Sequence, residues 1–257
     1  MSDKPILKLK VKSFTLKPVE RQKKIKQVEK VVKVVKVEKV ENVVKVEPVP
    51  FTLKRIDLPS GRSWILSGRM PDELLMDADT YQSLWSIHPE EYNTIIMRGK
   101  PVKTPRWQQS YGQAYYYTGL MHEALPVEHP YLKKIMAWVN KHSGACYKQL
   151  LINWYKDGSH YIGAHSDDET QLVPGSSIYS FSFGQQRTFR VTSKADESNK
   201  KLPAAQKFKL DIPLKNNHMV VMCGDMQREC KHAVPKRALS TAPGTRINIT
   251  LRLFSSS

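Results

Sequence analysis

Apolar residues in this chain recur with two different periods, and the change of period divides it into elements. Between Pro130 and Lys141, Leu132, Ile135, Met136 and Val139 stand at i, i+3, i+4 and i+7. That is one stripe of an amphipathic helix, and those four residues are expected in the core. A second helix is expected from Pro71 to Trp85, opened by Pro71, Asp72 and Glu73. Downstream the runs shorten, which predicts strands at Leu150–Tyr155, Ile178–Phe183, Thr188–Thr192, Met219–Met222 and Arg246–Phe254. Short strands between Gly- and Pro-marked turns predict a mostly β fold with flanking helices, a sandwich or jelly roll. Residues 1–50 behave differently. Val28 to Val46 is almost entirely Val, Lys and Glu, without Gly, aromatics or recognisable caps. Such low complexity seldom builds a packed core, so residues 1–50 read as a disordered basic extension and residues 51–257 as the folded domain.

The last strand has an unusual composition. Side chains alternate along a strand, so Arg246, Asn248, Thr250 and Arg252 share one face while Ile247, Ile249, Leu251 and Leu253 share the other. A solvated strand would more often mix Lys, Glu and Ser. Turned inward, the polar face would cost several kcal/mol without a partner. The natural partner of an inward guanidinium is a carboxylate held by two parallel hydrogen bonds, so two Arg point to a dicarboxylate. Gln149–Tyr155 repeats the pattern, with Leu151, Asn153 and Tyr155 on one face and Lys156-Asp157-Gly158 as the turn of an expected hairpin toward His165. His165, Asp167 and the later His232 supply two imidazoles and one carboxylate, a set that holds Fe(II) and leaves positions open for a co-substrate and O2. Among eight His such a trio arises easily by chance, and it gains weight from the Arg strand.

In chain order, Asn153-x-Tyr155, His165-x-Asp167-Asp168-Glu169, Pro174-Gly175-Ser176, Ser182-Phe183-Gly184, His232-x-Val234-Pro235-Lys236 and Arg246-x-Asn248-x-Thr250-x-Arg252 resemble the AlkB family of 2-oxoglutarate-dependent nucleic-acid dealkylases, its eukaryotic DNA-repair branch most of all. The resemblance runs from about Arg55 to Phe254. It implies a double-stranded β-helix, Fe(II) on His165, Asp167 and His232, and O2 and 2-oxoglutarate as co-substrates, with ascorbate as reductant in vitro. Arg246 would take the distal carboxylate with Asn153 and Tyr155; Asn248 and Arg252, beside Thr250, would hold the end near iron. The implied reaction removes methyl groups from 1-methyladenine or 3-methylcytosine in DNA, or for some members in RNA, releasing succinate and formaldehyde. The base must leave its stack. Tyr115 and Tyr117 match the family's stacking residues, and Asp168 and Glu169 its base-edge or lid positions. Met97 and Arg98 stand where relatives that open duplexes carry an apolar wedge. Lys100, Lys236 and Arg237 stand where relatives meet the phosphate backbone.

Charge fits that expectation. The formal net charge is +17, and residues 1–50 alone hold 14 Lys or Arg against 6 acidic residues. If Lys and Arg contact phosphates, binding weakens with salt. Arg21 to Lys26 reads as a nuclear-import patch, which favours the nucleus over the cytoplasm. Phe14-Thr-Leu-Lys17 recurs as Phe51-Thr-Leu-Lys54, and one copy is expected to dock a repair or replication partner. No run of eighteen apolar residues or signal-peptide pattern occurs, so a soluble intracellular protein away from membranes is expected, and separately a monomer. Three cysteines without a Cys-x-x-Cys pair argue against a disulfide framework. The alternatives are a hydroxylase of the same fold acting on protein or another target, and a catalytically silent damage-binding module, which would have no need to keep all three metal residues and both Arg; succinate and formaldehyde formed only with methylated oligonucleotide separates these readings.

Overall fold

A computed structural model describes residues 51–97, 99–117, 120–167, 169–194 and 207–255, and of residues 97, 115–117, 120 and 122 the backbone. The basic extension, Arg98 and Asp168 lie outside the described residues. Eight strands form the larger sheet, in the order β1 (Lys54–Asp57), β2 (Ser63–Arg69), β14 (His218–Gly224), β11 (Ile178–Gly184), β16 (Arg246–Arg252), β9 (Gln149–Tyr155), β5 (Trp107–Gly112) and β8 (Ala124–Leu125). A smaller sheet runs β10 (Ile162–His165), β15 (Cys230–Val234), β12 (Arg187–Ser193), β13 (Lys209–Leu214). Two ribbons complete the strands: β3 (Thr94–Met97) with β4 (Lys100–Lys103), and β6 (Tyr115–Tyr117) with β7 (Leu120–His122). This is the jelly-roll core with outer helices that the sequence implies.

Alternation along the strands builds two cores. On one side of the larger sheet Ile152, Trp154, Ile247, Ile249 and Leu251 pack with Leu132, Ile135 and Val139 of helix α2 (Pro130–Ser143). The Trp154 indole N–H donates to the Leu84 carbonyl at 2.8 Å, tying that face to helix α1 (Ala78–Ser86). On the other side Tyr155, Ile178, Val220 and Met222 meet Phe189, Val191, Ile212 and Leu214 of the smaller sheet. The polar members of the inner face therefore sit between two sheets, which is why they can be dry. Pro213 interrupts no ladder because β13 is an edge strand.

Two expectations change. The helix expected from Pro71 to Trp85 is a 3-10 turn at Asp72–Leu74, an extended Leu75, and then α1. The Asp77 carboxylate accepts from the Thr80 N–H at 2.7 Å and starts a new helix. Asn217 meanwhile takes the Met76 N–H at 3.1 Å. Gln149–Tyr155 is not half of a hairpin with the metal motif: β9 and β10 belong to different sheets, and Lys156–Gly158 begins a crossing between them. Buried Arg187 holds that crossing, donating to the carbonyls of Asp157 at 3.0 Å, His160 at 2.8 Å and Pro235 at 2.7 Å. The second Phe-Thr-Leu-Lys copy is part of the domain, with Leu53 against the outer core and the Phe51 ring edge-on to Trp138 at 5.9 Å. The first copy lies outside the described residues.

Gly112 ends β5 at φ 85°, and a Cβ there would collide with the Lys148 carbonyl oxygen. Replacing it with Ala is expected to destabilise the domain by about 2 kcal/mol or more, read as a lowered denaturant midpoint, because both the conformation and the space exclude a side chain.

Candidate metal centre and co-substrate cavity

His165 closes β10 directly opposite His232 on β15, so strand register alone faces the two imidazoles, with ring centroids 4.3 Å apart. Asp167 follows two residues on and is pinned from both sides. Its N–H donates to Gln227 Oε1 at 2.9 Å, and the preceding Ser166 hydroxyl donates to the Cys230 carbonyl at 2.8 Å. His165 Nε2 then lies 3.7 Å from Asp167 Oδ1 and His232 Nε2 3.6 Å from Oδ2. One donor atom from each of the three falls within 4.8 Å of the others. His165 Nδ1 donates to the Gly163 carbonyl at 2.9 Å, which fixes the proton there and leaves Nε2 free to ligate.

The protonation states suit a cation. Burial pushes His232 down to about 3, with the neighbouring His165 adding to the shift, and burial likewise lowers His165. Burial acts on Asp167 in the opposite sense, but the Arg252 guanidinium beside it outweighs this and holds the carboxyl below its usual range. Arg252 Nη2 donates to Asp167 Oδ1 at 2.7 Å. Two neutral imidazoles and a carboxylate with three positions open form the donor set of a non-haem Fe(II) site.

The same cavity, about 50 Å³, is lined by Asn153, Tyr155, Arg246, Asn248, Thr250 and Arg252 as well as the metal trio. Arg246 is 1% exposed and stacks over the Tyr155 ring at 4.7 Å. Its Nη2 donates to the Ser182 hydroxyl at 2.9 Å, whereas Nε and Nη1 have no hydrogen-bond partner among the described residues. A buried guanidinium with two idle nitrogens is costly as it stands and fits an anionic guest. Around it runs a polar row in register across four strands: Gln108, Asn153, Asn248 and Ser182 on β5, β9, β16 and β11.

The expected ligand roles divide here. Asn248 spends both amide protons on Ser180 Oγ and the Phe181 carbonyl, each at 2.9 Å, and its oxygen accepts from Thr250 Oγ1 at 3.3 Å. Asn248 and Thr250 thus brace the wall, and Arg252 reaches Asp167, while all three line the cavity expected to take the co-substrate. Three residues were not foreseen: Gln227, Arg187 and Arg106. Arg106 is 5% exposed in the cavity and donates through Nε to Asn153 Oδ1 at 2.7 Å and through Nη2 to Gln108 Oε1 at 3.0 Å. Its signal was available, since Arg106, Gln108 and Ser110 continue the period-two polar pattern of the Arg strand.

The described residues expected to meet nucleic acid are not among those that line this cavity. Met97 pairs with Lys100 across the tight turn of β3 and β4, with Gly99 at φ 74°. Tyr115 and Tyr117 lie on β6, paired with β7. Glu169 is half-buried, while Lys100, Lys236 and Arg237 are exposed. A second cavity of about 430 Å³ opens beside Asn93, Thr94, Gln109 and Glu123, and Gln108 and Leu151 line both cavities.

A family model, that of the 2OG-Fe(II) oxygenase superfamily, matches residues 86–252, a span that contains the metal trio and the Arg strand. Human "DNA oxidative demethylase ALKBH2" is 36% identical over 157 residues, covering 60% of this chain and 58% of the relative. The Arabidopsis thaliana protein of the same name is 38% identical over 138 residues, covering 48% and 43%. Human "Alpha-ketoglutarate-dependent dioxygenase alkB homolog 3" is 32% identical over 166 residues, covering 64% and 57%. The chain thus spans about half the length of the curated relatives it matches.

Two outcomes follow from the cavity. Arg246→Met, without metal, is expected to melt no lower than the unsubstituted chain, because it removes an unsatisfied buried charge, yet to lose the rise in melting temperature that a dicarboxylate gives the latter. Because folded His232 takes its proton near pH 3 and an unfolded His near pH 6.5, the unfolded chain binds more protons between those values. Stability of the metal-free protein is therefore full above about pH 6.5 and declines as pH falls toward 3, measurable by denaturant titration across that window.

Proposed function

Because the chain belongs to the 2OG-Fe(II) oxygenase superfamily, in its AlkB branch, we propose that it removes methyl groups from the nitrogen atoms of DNA bases by Fe(II)- and 2-oxoglutarate-dependent oxidation. The observation that carries this reading is the meeting, in one cavity between the sheets, of a two-His, one-carboxylate trio and the buried, half-partnered guanidinium of Arg246.

His165, Asp167 and His232 would hold Fe(II), and Arg246 would receive the distal carboxylate of 2-oxoglutarate while Tyr155 supports its guanidinium from below. Bound Fe(II), with 2-oxoglutarate and O2, supplies the oxidation that turns an N-methyl into an N-hydroxymethyl group, which falls apart to formaldehyde and the free base. The chain's own contribution is placement. Arg252 keeps Asp167 ionised, and Gln227 and Ser166 fix its position.

The substrates proposed are 1-methyladenine and 3-methylcytosine in DNA, with RNA as a second polymer. Tyr115 and Tyr117 would stack on the flipped base, worth roughly 1 to 3 kcal/mol per ring. Asp168 and Glu169 would face the base edge, Met97 would enter the vacated place in the duplex, and Arg98 would meet a phosphate or the orphaned base. Lys100, Lys236 and Arg237 would follow the phosphates. A monomer in the nucleus, with Phe14–Lys17 as a docking peptide for a repair or replication partner, completes the proposal.

A panel of single-stranded and duplex DNA and RNA, each bearing 1-methyladenine or 3-methylcytosine, is expected to yield formaldehyde with methylated DNA only when Fe(II) and 2-oxoglutarate are present. Asp167→Ala is expected to abolish that yield while DNA affinity stays within about threefold, since phosphate contacts dominate binding. Turnover on a protein substrate without any on methylated oligonucleotides would contradict the reading, and full activity in Asp167→Ala would remove the metal assignment.

A further inference from the structure

Arg106 is as deeply placed as the two Arg of β16, but both of its hydrogen-bond partners are neutral amide oxygens, Asn153 Oδ1 at 2.7 Å and Gln108 Oε1 at 3.0 Å. A guanidinium has five donors and no acceptor, so the atom of Asn153 that it touches must be the carboxamide oxygen. That contact fixes which way the amide faces. Asn248, the register neighbour of Asn153 on β16, already spends its protons on β11. The Asn153 N–H donors are left for the cavity that Asn153 lines.

We propose that Arg106 is a positioning residue, which locks the Asn153 carboxamide with its N–H donors toward the co-substrate seat and so favours an acceptor-only carboxylate over a neutral amide of the same shape. Beside the idle Nε and Nη1 of Arg246, the Asn153 amide then completes a wall of donors. Without Arg106 the carboxamide can turn by half a revolution and offer its oxygen, which repels a carboxylate and welcomes an amide N–H. The proposal rests on the 2-oxoglutarate seat described above and not on the nucleic-acid substrate.

The test is direct binding to the full chain loaded with Mn(II), by calorimetry, of 2-oxoglutarate and of its distal mono-amide, 2-oxoglutaramate, without nucleic acid. The unsubstituted chain is expected to prefer 2-oxoglutarate strongly. Arg106→Met should weaken 2-oxoglutarate binding by roughly tenfold or more and narrow the preference over the amide, since a hydrogen bond to a charged group is lost. Arg106→Lys, which can still donate to Asn153, should recover part of both. Asn153→Asp keeps a partner for Arg106 but offers no donor, and should lose 2-oxoglutarate binding by roughly a hundredfold. A purely structural role would lower melting temperature without changing the ratio of the two ligands. Unchanged affinity and ratio in Arg106→Met, or in Asn153→Asp where the first variant does not fold, would overturn the proposal. Failure of the unsubstituted chain to bind 2-oxoglutarate at all would instead overturn the seat itself and the proposal with it.

Discussion

The structure depends on a guanidinium buried almost completely inside the protein. Arg246 lies between two sheets, 1% exposed, with Ser182 as its hydrogen-bond partner and the Tyr155 ring beneath it. A fold that spends stability on such a group needs a guest that repays it, and a carboxylate is the cheapest guest with matching geometry. The rest of the inner face follows from that constraint. Asn153, Asn248 and Ser182 stand in register beside it because alternation on β9, β16 and β11 turns the polar set inward and the Ile, Leu and Trp set outward to the helices. The metal trio belongs to the opposite sheet and to the segment beyond β10, so the two halves of the chemistry meet only when the sandwich closes.

Much of this was legible in the chain because it depends on a period of two. Arg246 to Arg252 and Asn153 with Tyr155 share a face by arithmetic, and the structure puts both faces in one cavity. What period cannot supply is long-range pairing. Nothing local says that β9 and β10 part into different sheets, since Lys156-Asp157-Gly158 is an ordinary turn signal; the crossing is set by Arg187, a distant residue that captures three carbonyls. The helix expected at Pro71–Trp85 failed because apolar spacing is blind to the restart capped by Asp77. Arg106 was missed because a single Arg ahead of a strand resembles surface charge until its partners are known.

Arg252 lies on the metal carboxylate, and Asn248 with Thr250 closes hydrogen bonds inside the wall. Substrate choice is a separate matter from the oxidant. It would fall to the two ribbons β3–β4 and β6–β7, which lie outside both main sheets, and to Gln108, which lines the inner and the outer cavity alike. The candidate metal and co-substrate residues sit within the two main sheets, whereas the proposed substrate would be read by ribbons freer to vary without disturbing them.

The most direct test is a crystal structure of the protein with Mn(II) and 2-oxoglutarate. The account predicts the metal on His165, Asp167 and His232, and the distal carboxylate within hydrogen-bond distance of Arg246 Nε or Nη1, the nitrogens that lack a partner among the described residues. A metal held elsewhere, or a 2-oxoglutarate that leaves both of those nitrogens untouched, would contradict it.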